Sequence, residues 1–219
     1  MKGHRTGVPI LNVFQPGLRR GSEHLPHDPT KSYAYVEHPT EGWRVYLRSC
    51  VFLYPDPAVT QFNPMRFLVV KRTGARHSTA TWEPPKGQME GKDMRRSPHA
   101  SVLDLLAENV RRETEEESHI TVIERLRHTG LVFQGQETTY APNVYFQYHI
   151  FQGFVSEEQL KSSFAMFAWI REHPLAFARF KRDRREKDAV AWYSPRITPL
   201  NPRWCPGILA TYLTGIHRP

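Results

Sequence analysis

The feature that most constrains this chain is a charged run, Arg-Glu-Thr-Glu-Glu-Glu at residues 112–117, which ends a stretch with helical spacing. Apolar residues recur every four positions before it: Val102, Leu106 and Val110. This spacing predicts a helix over 101–118, and the pair Ser97-Pro98 is a start signal just upstream. The helix therefore has an apolar face for a core and, near its end, a strongly acidic face.

The acidic face of the predicted helix is a candidate metal site. Glu113, Glu116 and Glu117 point the same way, because positions i, i+3 and i+4 share one face of a helix. Like charges so placed repel by a few tenths of a kcal/mol per pair, and a divalent cation reverses that penalty. Mg²⁺ and Mn²⁺ prefer hard oxygen ligands such as these carboxylates. The alternative is a solvated helix face, where charge runs usually lie.

A second informative segment, Trp-Glu-Pro-Pro-Lys-Gly-Gln-Met-Glu-Gly-Lys-Asp, lies upstream at residues 82–93. Its paired prolines stiffen a turn, and Gly87 permits a backbone conformation that other residues resist. With no side chain in the way, the carbonyl of Gly87 could face a metal ion. The alternative is an ordinary loop, since Pro and Gly together mark turns.

Together the two segments resemble the sequence pattern of the Nudix hydrolases. That pattern is Gly, five residues, Glu, seven residues, then Arg-Glu-U-x-Glu-Glu-x-Gly-U, where U is apolar. Gly87 matches the first Gly, and Asp93 stands where the first Glu belongs. Five residues match the second half: Arg112, Glu113, Glu116, Glu117 and Ile120. The stretch Trp-x-Pro-Pro-Lys-Gly is most similar to the diadenosine tetraphosphate hydrolases of this family.

The chain departs from the family pattern at three places. Eighteen residues, 94–111, separate Asp93 from Arg112 where the pattern has seven. His119 replaces the late Gly, and Thr114 replaces an apolar residue. The insertion lengthens the loop before the acidic helix or adds a turn to it, and it leaves the acidic face intact.

The resemblance implies an α/β fold, an α/β/α sandwich with a mixed β-sheet, over residues 44–219. Residues 1–43 are rich in Pro, Gly and His, and we expect an irregular arm or one that lies along the domain. The local patterns predict further strands and helices. The strands are 44–54, 66–72, a short one ending near Trp82, 129–134, 143–155 and 188–193, and the helices are 157–172 and 204–214.

The resemblance also implies an activity, which is metal-dependent cleavage of a phosphoanhydride bond in a nucleoside polyphosphate such as a dinucleoside tetraphosphate. Mg²⁺ or Mn²⁺ is then held by Glu113, Glu116, Glu117 and the carbonyl of Gly87. The catalytic carboxylates are Glu113, Glu117 and Glu186, with Glu113 or Glu186 as the general base. Arg112 has a structural role, because its guanidinium can tie a carboxylate or a loop carbonyl.

Four residues are candidates for binding the substrate: Lys86, Tyr145, Lys181 and Arg184. Lysine and arginine suit phosphate, and nucleobases stack on aromatic side chains. Lys181 and Arg184 belong to a basic run beside Glu186. The alternatives are an exposed lysine, a charged loop and, for Tyr145, a core position on a strand.

Composition leaves other partners open. The net charge of +8 suits any polyanion, including capped RNA or a diphosphoinositol phosphate, so decapping and diphosphoinositol hydrolysis are alternatives within the family. A catalytically silent Nudix-fold module that binds RNA or nucleotide is the alternative from another class. Two cysteines form no disulfide framework. We expect a cytoplasmic protein, with the nucleus as the alternative, and no membrane partner. The sequence leaves the oligomeric state open.

Overall fold

The computed structural model describes residues 7–25, 28–76 and 79–216. Parts of two predictions lie outside these residues: positions 1–6 and 26–27 of the predicted arm, and positions 77–78 and 217–219 of the predicted domain. Strands are β1 Arg19–Leu25, β2 Asp28–Glu37, β3 Arg44–Pro55, β4 Leu68–Arg72, β5 Trp82–Glu83, β6 Lys86–Gln88, β7 Arg125–Gly135, β8 Val144–Val155 and β9 Lys187–Trp192. Helices are α1 Gly91–Arg96, α2 Val102–Ser118, α3 Glu157–Glu172, α4 Pro174–Phe177 and α5 Cys205–Ile216.

Two sheets organise the described part of the chain. The larger has the order β1-β2-β3-β8-β7, and β6 pairs with β3 beside this path. It is mixed, because β3 and β8 run parallel whereas the other paired strands run antiparallel. The smaller sheet has the order β5-β4-β9. The two sheets place the turn between β5 and β6 at their junction, next to α2.

The central strand β3 divides the core into two clusters. Its alternate residues Val45, Leu47, Val51 and Leu53 face a cluster that also takes the apolar side of α2 and α3. The residues between them, Tyr46, Cys50, Phe52 and Tyr54, face a second cluster that includes Ile208 and Tyr212 of α5. A strand buried on both faces is apolar throughout, because successive side chains point to opposite sides. Helices therefore cover both faces of the sheet, and the predicted α/β class with a mixed sheet is confirmed.

Residues 19–37 of the N-terminal segment follow the second of its two expectations, an arm that lies along the domain, rather than the irregular one. They form the antiparallel pair β1 and β2, and β2 continues the sheet by pairing Tyr35, Val36 and Glu37 with β3. Val36 is fully buried. The sheet thus runs across the predicted boundary at residue 43.

The helix that carries the acidic face begins later than its upstream signal suggested. Ser97 ends α1, whereas the side chain of Ser101 accepts a hydrogen bond from the backbone N–H of Asp104 and caps α2. Residues 94–111, which contain the insertion, therefore form the end of α1, a short connection and the first turns of α2. Arg20 in β1 anchors that connection by donating to the carbonyls of Pro98 and Ala100.

This capping assignment makes a prediction about stability. Replacing Ser101 with alanine removes the acceptor for a helix N–H, so we expect the free energy of unfolding to fall by about 1 kcal/mol. Ser97→Ala is the matched control and should change it by less than about 0.5 kcal/mol. Urea unfolding of both variants measures the difference, and equal losses would contradict the assignment.

None of the helices among residues 7–25, 28–76 and 79–216 is long and apolar enough to cross a membrane.

Candidate active site

The turn at Gly87 and the acidic face of α2 meet at van der Waals distance. Strand β6 holds Gly87 opposite Ser49 of β3, and α2 packs beside it. A Cβ added at Gly87 would lie 1.9 Å from the carboxyl carbon of Glu113. Glycine is therefore required here because the Glu113 carboxyl group occupies the space of a side chain.

Arg112 lies at the centre of the acidic face. Its guanidinium contacts Glu113 Oε1 at 2.9 Å, Glu116 Oε2 at 2.9 Å and Asp93 Oδ2 at 3.6 Å. It also donates to Asn109 Oδ1 at 2.7 Å. Asp93, which stands at the first Glu of the family pattern, is thereby brought to the acidic helix despite the insertion. One arginine thus orients three carboxylates from two helices.

Glu113 has an unusually high affinity for a proton. Burial raises its pKa to about 8, Arg112 opposes this, and the charges of Glu117, Glu116 and Glu186 reinforce it. The side chain retains 14% exposure, so water can reach it. A carboxyl group whose pKa lies near the working pH can exchange a proton there, as general acid–base catalysis requires.

Glu117 is held differently from Glu113. Its Oε1 pairs with the ammonium of Lys187 at 2.9 Å, and its Oε2 accepts the backbone N–H of Lys86 at 3.0 Å. Lys187 also pairs with Glu83, whose other oxygen contacts Lys86 Nζ at 2.9 Å. Burial alone would raise the pKa of Glu83, but the two ammonium groups lower it to about 2. Three ion pairs and the hydrogen bond from the Lys86 backbone join Glu83, Lys86, Glu117 and Lys187 in a closed network, called here the buried charge network.

The donor chemistry of the acidic face fits a hard divalent ion at Glu113 and Glu116. Among the described residues, no three His, Cys, Asp or Glu side chains already stand close enough to hold one ion. Arg112 and Lys187 hold the carboxylates in this arrangement. Mg²⁺ is commonly bound through one or two carboxylates with water completing its shell, so two carboxylates can be enough for such an ion. The backbone of Gly87 adjoins Glu113.

A cavity of about 1120 Å³ opens beside the buried charge network. Glu83, Lys86, Lys187 and Glu186 line it. Further positive charge comes from Arg48, Arg72, Arg182, Arg185 and Arg203, and aromatic surface comes from Tyr140, Tyr148, Phe177 and Trp204. Cationic groups outnumber the lining carboxylates, so the cavity suits a phosphate-rich ligand that also carries an apolar ring.

In the basic run beside Glu186, the residues that line the cavity differ from the two that were predicted to bind substrate. Lys181 is exposed and Arg184 pairs with Glu115, and neither lines the cavity. Arg182 and Arg185 line it instead. The run contains a 3-10 turn at Asp183–Arg185, in which residues three apart share a side. The predicted pair and the observed pair therefore lie on different sides of the same turn.

Tyr145 is buried in the core and does not line the cavity. It faces the cluster of α2 and α3, whereas Tyr148 on the same strand faces the other cluster and the cavity. An odd separation along a strand puts two side chains on opposite faces. Tyr148 therefore takes the position expected of Tyr145.

Several site residues were not predicted. Glu83 and Lys187 complete the buried charge network, and Trp204 adds aromatic surface to the cavity. Glu83 lies within the quoted loop segment, and Lys187 follows Glu186 directly, so proximity to the motifs was the available signal. Their pairing depends on the junction between the two sheets, which local patterns do not show.

No protein-family model matches the chain, and no curated protein matches it. Three solved structures resemble the mixed α/β fold over 78% of this chain. They are a NUDIX hydrolase from Nitrosomonas europaea (16% identity, TM-score 0.42, 89% of that chain), an Ap4A hydrolase from C. elegans in a binary complex (15%, 0.40, 97%) and a mutT/nudix family protein from Listeria innocua (17%, 0.40, 93%). At these identities and TM-scores, a functional assignment has to rest on the chain's own residues.

Proposed function

We propose that this protein is a Nudix hydrolase that cleaves a phosphoanhydride bond in a nucleoside polyphosphate with the help of Mg²⁺ or Mn²⁺. One observation carries the proposal: Glu113 and Glu116 share a helix face with their carboxylates oriented by Arg112, and Glu113 packs against Gly87. A solvated charged surface would need neither the half-buried arginine nor the glycine. The residues that resemble the family pattern thus lie together at one place in the fold.

The chain's residues divide the chemistry between them. A divalent ion on Glu113 and Glu116 would neutralise phosphate oxygens and acidify a bound water. Glu113 takes the proton as water attacks phosphorus and the phosphoanhydride oxygen leaves with the departing phosphate. Glu186 is the alternative base, because it is exposed, lines the cavity and is close enough to raise the pKa of Glu113. Arg112 positions the carboxylates.

The cavity supports a nucleotide as the substrate. Lys86, Arg182 and Arg185 offer charge to a polyphosphate chain, and Tyr148 and Trp204 offer rings on which a base can stack. A volume of about 1120 Å³ can take a ligand larger than a mononucleotide. A dinucleoside polyphosphate is therefore the first substrate to test.

The testing experiment is product release from diadenosine tetraphosphate, capped RNA and a diphosphoinositol phosphate, each with Mg²⁺, with Mn²⁺ and with excess EDTA. We expect hydrolysis of diadenosine tetraphosphate that EDTA abolishes. Cleavage of capped RNA alone would assign decapping, and a steep salt dependence with long RNA would accompany it.

Two outcomes would count against the proposal. Hydrolysis that persists in EDTA would remove the role of the metal. Absence of hydrolysis on every substrate, combined with tight binding of nucleotide or RNA, would replace the enzyme by a binding module on the same fold.

A further inference from the structure

Lys187 is a buried lysine in direct contact with the acidic face. It begins β9, its side chain is only 5% exposed, and it lines the cavity. Its ammonium pairs with Glu117 at 2.9 Å and with Glu83. A buried ammonium is retained only where carboxylates compensate it, and here two of them do.

Both carboxylate oxygens of Glu117 have a partner. One carboxylate oxygen meets Lys187 and the other accepts the backbone N–H of Lys86. Glu83 is likewise engaged through both oxygens, by Lys187 and by the ammonium of Lys86. Two ammonium groups balance two carboxylates, so the buried charge network is neutral without any metal ion.

Glu113 and Glu116 are not part of the buried charge network. Each gives one oxygen to Arg112, at 2.9 Å in both cases. Within the described residues, no ion pair or hydrogen bond reaches Glu113 Oε2 or Glu116 Oε1. One positive guanidinium faces these two carboxylates and Asp93, which leaves this end of the face with excess negative charge.

We propose that Lys187 is a resident cation that takes the place of one divalent ion at Glu117. The acidic face then binds divalent ions through Glu113 and Glu116, while Glu117 is held by the lysine as a fixed anion. A second divalent ion near Glu117 would meet the charge of the ammonium at short range and is excluded. This inference rests on the proposed function, because it concerns the number of ions that the same site takes.

The test counts ions without using activity. The electron paramagnetic resonance signal of free Mn²⁺ is followed as Mn²⁺ is titrated into the whole protein in the absence of substrate. Lys187→Met keeps the length of the side chain and removes the charge. We expect the variant to bind one more Mn²⁺ per chain than the wild type, or to bind Mn²⁺ at least tenfold more tightly.

A matched control is Lys71→Met. Lys71 is also buried, at 3% exposure, and pairs with Asp188. Asp188 follows Lys187 in the sequence, but this ion pair does not involve Glu117. A buried ammonium is lost in both variants, so a general effect of losing one would appear in both. We expect Lys71→Met to bind Mn²⁺ as the wild type does.

A second variant protects the test against misfolding. Lys187→Met leaves Glu83 and Glu117 facing each other, so Glu83→Gln is added to relieve their repulsion. We expect Mn²⁺ to raise the thermal midpoint of this double variant more than that of the wild type.

The outcomes separate the two proposals. If the wild type binds Mn²⁺ and both Lys187→Met and the double variant match it in number and affinity, Lys187 is not a resident cation, while the proposed function stands. If neither the wild type nor these two variants binds Mn²⁺, both proposals fail together.

Discussion

Replacing Glu113 with glutamine is expected to lower the rate of phosphoanhydride hydrolysis by about a hundredfold or more, the range typical of a lost general base. Glutamine keeps the shape of the side chain and can still accept a hydrogen bond from Arg112. It cannot take up a proton from water, and it has no negative charge with which to bind a metal ion. Initial rates at saturating Mg²⁺ measure the loss. A residual rate within about threefold of the wild type would assign the base to Glu186 instead.

The same substitution is expected to stabilise the metal-free protein. Burial raises the pKa of Glu113 to about 8, above its ordinary value of 4.5. Between these pH values the unfolded chain has lost the proton that the folded chain retains, so the free energy of unfolding falls as pH rises. Above pH 8 the buried carboxylate has its full cost, on the order of 5 kcal/mol for a rise in pKa from 4.5 to about 8.

The stability measurement therefore has a defined pH window. In EDTA, we expect Glu113→Gln and the wild type to be similarly stable near pH 4.5 and the variant to be more stable by pH 8. Glu108→Gln is the matched control, because Glu108 is exposed on the same helix. It should change neither the rate nor the pH dependence. A Glu113→Gln variant that is less stable at pH 8 would contradict the assigned burial.

A gain in stability together with a loss of rate would identify Glu113 as a functional residue kept at a cost to the fold. The sequence predicts that Glu113 shares a helix face with Glu116 and Glu117, since positions i, i+3 and i+4 lie on one face of a helix. It also anticipated that Gly87 lies near them, through the spacing of two motifs. What local patterns could not supply was the contact of Arg112 with Asp93 across the eighteen residues that separate them.

The N-terminal strands show a second limit of sequence patterns. Strand β1 reads Arg-Arg-Gly-Ser-Glu-His-Leu and is mostly exposed or half-buried, so it has little of the apolar alternation that marks a strand. It forms because β2 offers a partner, and β2 in turn pairs with β3. Backbone hydrogen bonds to an existing sheet edge leave no periodic trace in the side chains.

Strand β8 shows the opposite limit. It is buried on both faces, so apolar and aromatic residues follow one another without alternation. Nothing local then distinguishes the face of Tyr145, in the core, from that of Tyr148, at the cavity. Local patterns also gave no sign that Lys187 is buried. A lysine in a strand is ordinarily exposed, and the burial of this one depends on Glu83 and Glu117 from elsewhere in the chain.

Removal of Arg112 is expected to have the largest effect on stability. In Arg112→Met, the carboxylates of Asp93, Glu113 and Glu116 remain together without their shared cation. Breaking a buried pair by removing one partner costs about 3–5 kcal/mol, and the 23% exposure of this side chain reduces that to about 2–4 kcal/mol at pH 8. Arg112→Lys should fall between, because an ammonium keeps the charge but cannot contact several carboxylates in a fixed fork.

The pH dependence and the metal dependence distinguish this cause from a packing defect. At pH 6 Glu113 retains its proton in the folded protein, so less uncompensated charge remains and the loss caused by Arg112→Met should be smaller than at pH 8. Millimolar Mn²⁺ should restore part of the stability at pH 8, because an ion on Glu113 and Glu116 replaces the missing positive charge. Neighbouring Arg111 is exposed and donates to the carbonyl of Ile123 at 3.3 Å, and it provides the control Arg111→Met, with an expected change under about 0.5 kcal/mol. If the two methionine variants have the same free energy of unfolding at every pH and Mn²⁺ changes neither value, Arg112 does not organise the acidic face. The carboxylates must then be held by their own backbone positions.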